Sequence, residues 1–423
     1  MLIITLAFLS LILFYDSIIF FVSSFFFFLI LLTRGINIFD GFFYFDKLRV
    51  TLLFLSVIVL FLSIIQRFKD PYKIRIFWLM GFFIAVRFLS ADFIIFYFSF
   101  ERVFLLMFFF LLGWGKSFER VQASFYILFF TLTFSLPFLV VLITYKSVFF
   151  SSMYLLGYFF YAEAIWPLAV IVFLVKLPIF GLHAWLPKAH VEAPVEASIL
   201  LAGVLLKIGG YGLIRFLPSL KYCSLSSSIF TSIFFYISLG GGLLLAIICS
   251  RQRDLKVIIA YSSVVHISIG LVGLFRQTFW GLEGFLLLIL SHGFISPTMF
   301  FLIRSFYDVT YSRRIFILKG VMALRPIFCL FWFFSCFLNL GVPPFISFFS
   351  EVLIFGSLGF SSYCEWVITF FVLFFTGAYR VILYNHLSHG RFSARVGFFP
   401  TYLLILTSFI FFFFVIIYPL AFF

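Results

Sequence analysis

A chain of 423 residues that is 65% hydrophobic and only 10% charged, with 75 phenylalanines, lies far outside the composition of a soluble domain. At roughly 20 residues per crossing plus short connections, it has room for about thirteen or fourteen membrane helices, which excludes a sizeable nucleotide-binding or extramembrane catalytic domain. The formal charge of +14 then reads as an orienting bias in the bilayer and not as a nucleic-acid surface.

Helices are expected, because a lipid-exposed backbone must satisfy its own polar groups and the apolar runs are too long for barrel strands. In chain order the predicted spans cover 1–15, 17–33, 49–66, 74–90, 92–112, 122–144, 164–184, 195–217, 227–249, 255–275, 281–303, 323–355, 365–385 and 399–421. The first two share only 33 residues around Asp16, so thirteen and fourteen crossings both stay open. The opening MLIITLAFLSLILFYD has no basic n-region and no Arg-rich stretch, and reads as a retained span. The connections fall into two alternating sets, one with 16 Lys and Arg residues (Arg67 through Arg395) and one with 7 (Arg34 through Arg276). The richer set is expected on the side where the protein is made, with both termini opposite if the spans number fourteen.

Five cysteines, Cys223, Cys249, Cys329, Cys336 and Cys364, form no C-x-x-C pair. They read as apolar filling and not as iron–sulfur or zinc ligands. The runs Gly209-Gly210-Tyr211-Gly212 and Gly240-Gly241-Gly242 lie in apolar segments and suggest close helix packing, with no phosphate-loop context. Pro and Gly interrupt two spans at comparable places, Lys176-Leu177-Pro178 through Leu186-Pro187 and Asn339-Leu340-Gly341-Val342-Pro343-Pro344. A single such proline is unremarkable in a membrane helix. A matched pair with ionisable neighbours points to a transporter whose ion path crosses at the breaks.

Ionisable residues at the centre of a span cost about 2.5–3.5 kcal/mol each on insertion scales. Glu101, Lys176, Lys207, His266, His292 and Glu351 fall near mid-depth of six different spans. A row of acids, bases and histidines across helices is what a lateral proton route requires, since burial moves Lys and Glu toward exchange at neutral pH. Each residue also has a plainer reading. A lysine can snorkel, a histidine can bond a neighbouring helix, and Arg102 beside Glu101 can be its structural partner. Two histidines on separate spans also suit a haem, although no propionate-binding pattern accompanies them. His386 and His389 suit a solvated helix end better than a metal site.

Residues 176–216, KLPIFGLHAWLPKAHVEAPVEASILLAGVLLKIGGYGLIRF, resemble the subunit 4 family of mitochondrial NADH:ubiquinone oxidoreductase, respiratory complex I. So do FSFERVFLLMFFFLLGWGKSFER (98–120), RQRDLKVIIAYSSVVHISIG (251–270), LSHGFISPTMFFLI (290–303) and NLGVPPFISFFSEVLIF (339–355). Subunits 2 and 5 and the Mrp-type antiporter subunits are the nearer confusions, and a Glu in place of Lys on the twelfth span favours subunit 4.

The resemblance implies an all-α fold of two inverted five-helix repeats with broken seventh and twelfth helices. Residues 1–73 would be N-terminal helices, 74–217 and 218–385 the two half-channels, and 386–423 a loop and last helix. Glu101 and Lys176 match the carboxylate and lysine of the first half, and Lys207 the bridging lysine. His266 and His292 match the connecting histidines, and Glu351 the terminal carboxylate. His183, His190 and Glu196 are possible accessory sites. Two positions depart from the family: Glu196 and Pro297 stand where small residues are usual, and Pro297 is expected to interrupt its span.

The implied activity is proton translocation coupled to quinone reduction in the respiratory chain of the mitochondrial inner membrane, with the basic loops facing the matrix. No redox cofactor and no metal is expected in this chain, since FMN, the iron–sulfur clusters and ubiquinone belong to other subunits. The implied partners are membrane lipids and the other subunits, chiefly 2 and 5, and no nucleic acid. The alternatives are an independent Na⁺(K⁺)/H⁺ antiporter and a structural scaffold whose buried charges only hold helices together.

Overall fold

The computed structural model describes residues 38–40, 43–65, 70–90, 92–115, 118–144, 166–220, 225–320, 326–359 and 362–390. The predicted spans 1–15, 17–33 and 399–421 lie outside the described residues, as does Cys223.

A short antiparallel hairpin, β1 (Ile38–Asp40) with β2 (Phe43–Phe45), precedes the helices. Helices α1 (Lys47–Ile65), α2 (Pro71–Leu89), α3 (Phe93–Trp114) and α4 (Arg120–Thr144) follow. Next come two half-helices, α5 (Trp166–Lys176) and α6 (Trp185–Glu192). Helix α7 (Val195–Leu200) passes through a π segment, Leu201–Leu205, into α8 (Leu206–Leu220). Helices α9 (Leu225–Ser250), α10 (Leu255–Phe275) and α11 (Phe279–Thr310) come next. A second pair of half-helices, α12 (Pro326–Leu340) and α13 (Ile346–Leu358), precedes α14 (Tyr363–Ser388). Apart from that hairpin the expected helical membrane architecture is present, and among the described residues seven helical stretches are long and apolar enough to cross a membrane.

The α7–α8 helix, α10 and α11 are buried along most of their length, whereas α4 and α14 turn much of their surface outward. Close approach at the centre depends on glycine. Gly242 packs on Ser268 and Gly210 on Ile289 of neighbouring helices, and Gly241 on Phe180 in the first break, so a side chain at any of these would meet a neighbouring segment.

Both breaks use the same local chemistry. Past Lys176 the chain leaves the helix, and Gly181 takes φ +94° before α6 begins. Past Leu340 it does so again, with Gly341 at φ +73°. Left-handed φ strains any residue with a Cβ, which accounts for glycine at both turns. Each break frees carbonyls in the preceding turn, and in each a side chain from beyond the break bonds one of them. Trp185 Nε1 donates to the Val175 carbonyl at 3.0 Å, and Ser347 Oγ donates to the Leu338 carbonyl at 2.7 Å. Leaving such a carbonyl unbonded in an apolar interior costs about 1–3 kcal/mol.

Pro297 does not behave as expected, since α11 continues through it from Phe279 to Thr310. Packing explains this: the Pro297 ring abuts Gly203 in the π segment, where a Cβ would lie 2.8 Å from its Cγ. Tight packing against a neighbouring helix holds the segment helical despite the backbone hydrogen bond that proline removes.

Candidate functional site

The first cluster joins α3 to the end of α5. Lys176 Nζ donates to Glu101 Oε1 at 3.2 Å; the lysine side chain is 1% exposed and the glutamate 16%. The ammonium also lies 3.6 Å from the ring centres of both Phe100 and Phe104, a cation–π seat in a dry setting. Arg102 points outward and is exposed, so Lys176, and not the adjacent arginine, is the partner of Glu101. Gly209 of α8 packs against the end of α5, where a Cβ would sit 3.2 Å from Lys176 Cβ and 3.3 Å from the Leu177 backbone nitrogen.

The second cluster runs across α8, α10, α11 and α12. Lys207 Nζ donates to the Ala202 carbonyl inside the π segment and stands 3.0 Å from His292 Nδ1. A π turn is a common device at functional sites, and here its carbonyl tethers the lysine of the next turn. Gly293 leaves the room, because a Cβ at that position would lie 3.2 Å from Lys207 Cε. The His292 and His266 ring centres are 5.4 Å apart. His266 Nε2 then meets Asn339 Oδ1 at 2.7 Å, at the end of α12 just before the break. Beyond it, a narrow cleft lined by Asn339, Ser347, Ser350 and Glu351 leads to the carboxylate of α13. Glu351 Oε1 is buried and has no hydrogen-bond partner among the described residues, and Gly341 packs on the same carboxylate.

Five of the six expected mid-membrane residues thus fall into hydrogen-bonded or ring-contact groups, and Glu351 faces the same cleft as both histidines. No hydrogen bond joins Lys176 to Lys207 among the described residues, so the two clusters are separate links.

The three accessory candidates sit apart from one another. His183 lies in the first break, where its Nδ1 accepts from the Gly181 N–H at 3.3 Å and its ring stacks on Phe180. His190 is fully buried, stacked on Phe300 at 4.8 Å, with neither ring nitrogen bonded among the described residues. It lies within electrostatic reach of Lys207 and of Lys256, whose ammonium bonds the Ala193 carbonyl at the end of α6 at 2.8 Å. Glu196 is held by Arg304 at 2.9 Å, so the family's small residue is replaced by half of an ion pair.

Sequence reasoning missed two buried arginines. Arg87 of α2 lies over Phe96 and Phe100, 4.2 and 3.9 Å from their ring centres, within electrostatic reach of Glu101. Arg380 of α14 places Nη2 2.6 Å from His266 Nε2. Both lie near the ends of predicted spans, where an arginine is ordinarily taken to snorkel. Their length in from the boundary was the available signal. Among the described residues no three His, Cys, Asp or Glu side chains gather as a metal site. His386 lies in the last turn of α14 and His389 is exposed just beyond the helix.

The fold and this site define a many-helix membrane protein with paired broken helices and a buried row of titratable groups. The chain matches, over residues 90–377, the family described as NADH:quinone oxidoreductase/Mrp antiporter, transmembrane. It is 37% identical to NADH-ubiquinone oxidoreductase chain 4 of Ceratitis capitata over 87% of this chain and 84% of the relative. It is 39% identical to the chain 4 protein of Aedes aegypti over 72% of this chain and 68% of the relative. In shape it is similar to a chain of respiratory complex I from Thermus thermophilus with bound NADH, with TM-score 0.82, 21% identity, and coverage of 92% and 87% of the two chains. A chain of the archaeal membrane-bound sulfane sulfur reductase has TM-score 0.79, 20% identity, and coverage of 90% and 81%. The chain belongs to the NADH:quinone oxidoreductase/Mrp antiporter transmembrane family, in its NADH-ubiquinone oxidoreductase chain 4 branch.

Proposed function

We propose that the chain is a proton-translocating membrane-arm subunit of NADH:ubiquinone oxidoreductase, coupling NADH oxidation and quinone reduction to proton transfer. The supporting observation is the polar line Lys207–His292–His266–Asn339, which crosses four helices through the most buried part of the bundle. Buried charges that served only to glue helices would pair off locally. This line instead continues to an unbonded carboxylate at a helix break.

In this reading Glu101 and Lys176 form the first exchange site, where breaking the 3.2 Å contact releases and captures protons. Lys207 passes a proton to His292, His266 carries it on, and Glu351 is the terminal exchange group. His183 and His190 serve as accessory groups on the approach, and Glu196 shapes the entry through its pair with Arg304. Moving one charge against 100 mV costs about 2.3 kcal/mol, so the route must be gated. The cleft before Glu351 is too narrow to hold a water as it stands, which suits a closed gate. The two halves, 74–217 and 218–385, act as half-channels. The subunit lies in the mitochondrial inner membrane between subunits 2 and 5, basic loops toward the matrix, and FMN, iron–sulfur clusters and ubiquinone are held by other subunits.

Substituting Glu101→Gln or Lys176→Ala in the assembled complex is expected to slow proton-coupled quinone reduction; normal pumping in both variants refutes the assignment. The family also contains Mrp antiporter subunits, and Na⁺- or K⁺-dependent proton movement by the chain alone in liposomes would favour that activity instead.

A further inference from the structure

His266 Nε2 has two neighbours at hydrogen-bonding distance, Asn339 Oδ1 at 2.7 Å and Arg380 Nη2 at 2.6 Å. An imidazole nitrogen offers one in-plane position, holding either a proton or a lone pair. A guanidinium only donates, so it requires the lone pair. The Asn339 carbonyl only accepts, so it requires the proton. Turning the amide over does not relieve the conflict, because two donors would then compete for one lone pair. Only one partner can be satisfied at a time, and which one depends on whether Nε2 carries a proton.

The released guanidinium has somewhere to go. Arg380 is 3% exposed, its Nε is unbonded among the described residues, and it lies within electrostatic reach of Glu351. Glu351 Oε1 is the buried acceptor without a partner in the neighbouring cleft. Asn339 has its own second contact, Nδ2 to Met299 Sδ at 3.7 Å, weak enough to be given up.

Resting on the proton-transfer reading above, we propose that Arg380 is a positioning residue that acts as a latch, bonding His266 Nε2 when it is unprotonated and turning to Glu351 when a proton arrives there. With the latch on His266, the ring carries its single proton on Nδ1. A proton delivered to Nε2 is donated to Asn339 Oδ1, and Arg380 moves to the Glu351 carboxylate as that group gives up a proton toward the exit. On resetting, the Nε2 proton passes to Glu351 and Arg380 returns, so one proton enters and one leaves per cycle. The arginine thereby links occupancy of the last histidine to release at the terminal carboxylate.

The test uses the assembled complex with isotope-labelled histidine, reading the infrared ring bands that disappear in His266→Gln. The wild type is expected to show neutral His266 with its proton on Nδ1. Arg380→Met is expected to move the proton to Nε2, facing Asn339, and Arg380→Lys to restore the wild-type bands. Asn339→Leu should keep the resting bands but abolish the NADH-driven protonation of Nε2. Both Arg380→Met and Asn339→Leu should lower proton-coupled turnover about tenfold, the scale of one charge-assisted hydrogen bond. Unchanged resting bands in Arg380→Met overturn the latch, and if that variant does not assemble, an unchanged NADH-driven band in Asn339→Leu does so. The resting spectrum does not depend on pumping, so this failure is distinct from that of the pathway, which normal proton transfer in Glu101→Gln and Lys176→Ala would reveal.

Discussion

Lys207 Nζ has two partners at once: the Ala202 carbonyl of its own helix and, 3.0 Å away on α11, Nδ1 of His292. The first contact is a fixed anchor within the π segment. The second is an exchangeable one, since the imidazole can accept from the ammonium or stand beside a neutral amine. Gly293 next to that histidine keeps the space open, with Lys207 Cε and Leu55 both close to where its Cβ would be. Gly293→Ala is therefore expected to cost about 1–3 kcal/mol in packing and to reduce proton-coupled turnover. Adding Leu55→Val shortens the buried side chain whose Cδ atoms make the second clash and relieves it with little loss of packing. It should recover thermal stability without recovering turnover, which separates packing from the placement of Lys207.

The Glu101–Lys176 pair predicts non-additivity. Each single change, Glu101→Gln or Lys176→Met, leaves an unpaired charge near Phe100 and Phe104. The double variant removes both charges, so its loss of thermal stability should be smaller than the sum of the singles, by a coupling of about 0.5–3 kcal/mol. Simple additivity in thermal unfolding of the solubilised complex would show that the two do not interact.

The hydrogen bonds that close the two breaks should be equivalent in energy. Trp185→Phe removes the donor to Val175 and Ser347→Ala the donor to Leu338. Each leaves one buried carbonyl unbonded, at about 1–3 kcal/mol, read as a lowered melting temperature. Trp185 lies off the proton route, and Ser347 lines the cleft before Glu351 without being assigned a proton, so residual turnover per assembled complex should fall less than in Lys207 variants.

The Glu196–Arg304 pair is part-exposed, with Arg304 33% exposed and also near Asp308. Pairs of this kind contribute about 0–1 kcal/mol. Glu196→Ala should thus change stability little. If Glu196 shapes proton entry, as proposed, the variant will alter the salt dependence of turnover. The charge-reversed pair, Glu196→Arg with Arg304→Glu, should restore it.

Much of this arrangement is legible in the sequence because insertion into a bilayer penalises every misplaced charge. Glu101, Lys176, Lys207 and the two histidines stand out on that ground alone, and the predicted span 255–275 matches α10, Leu255–Phe275, end to end. The breaks are legible as well, since Gly181 and Gly341 mark turns that other residues resist. What sequence conceals is pairing across helices. Glu196 and Arg304 are 108 positions apart, and His266 and Arg380 are 114 apart, with no local signal to join them. Pro297 misleads for the same reason: a helix-breaking residue was expected to interrupt the span, but the space beside Gly203 accommodates its ring. The π segment is equally hidden, because its one extra residue per turn depends on what α11 presents to it.

The most direct measurement is the rate of NADH-driven proton movement per assembled complex in sealed membranes carrying Lys207→Met. Normal assembly with proton movement reduced about tenfold is expected, the effect of losing one charge-assisted contact in the line. Assembly and proton movement both equal to wild type would contradict it.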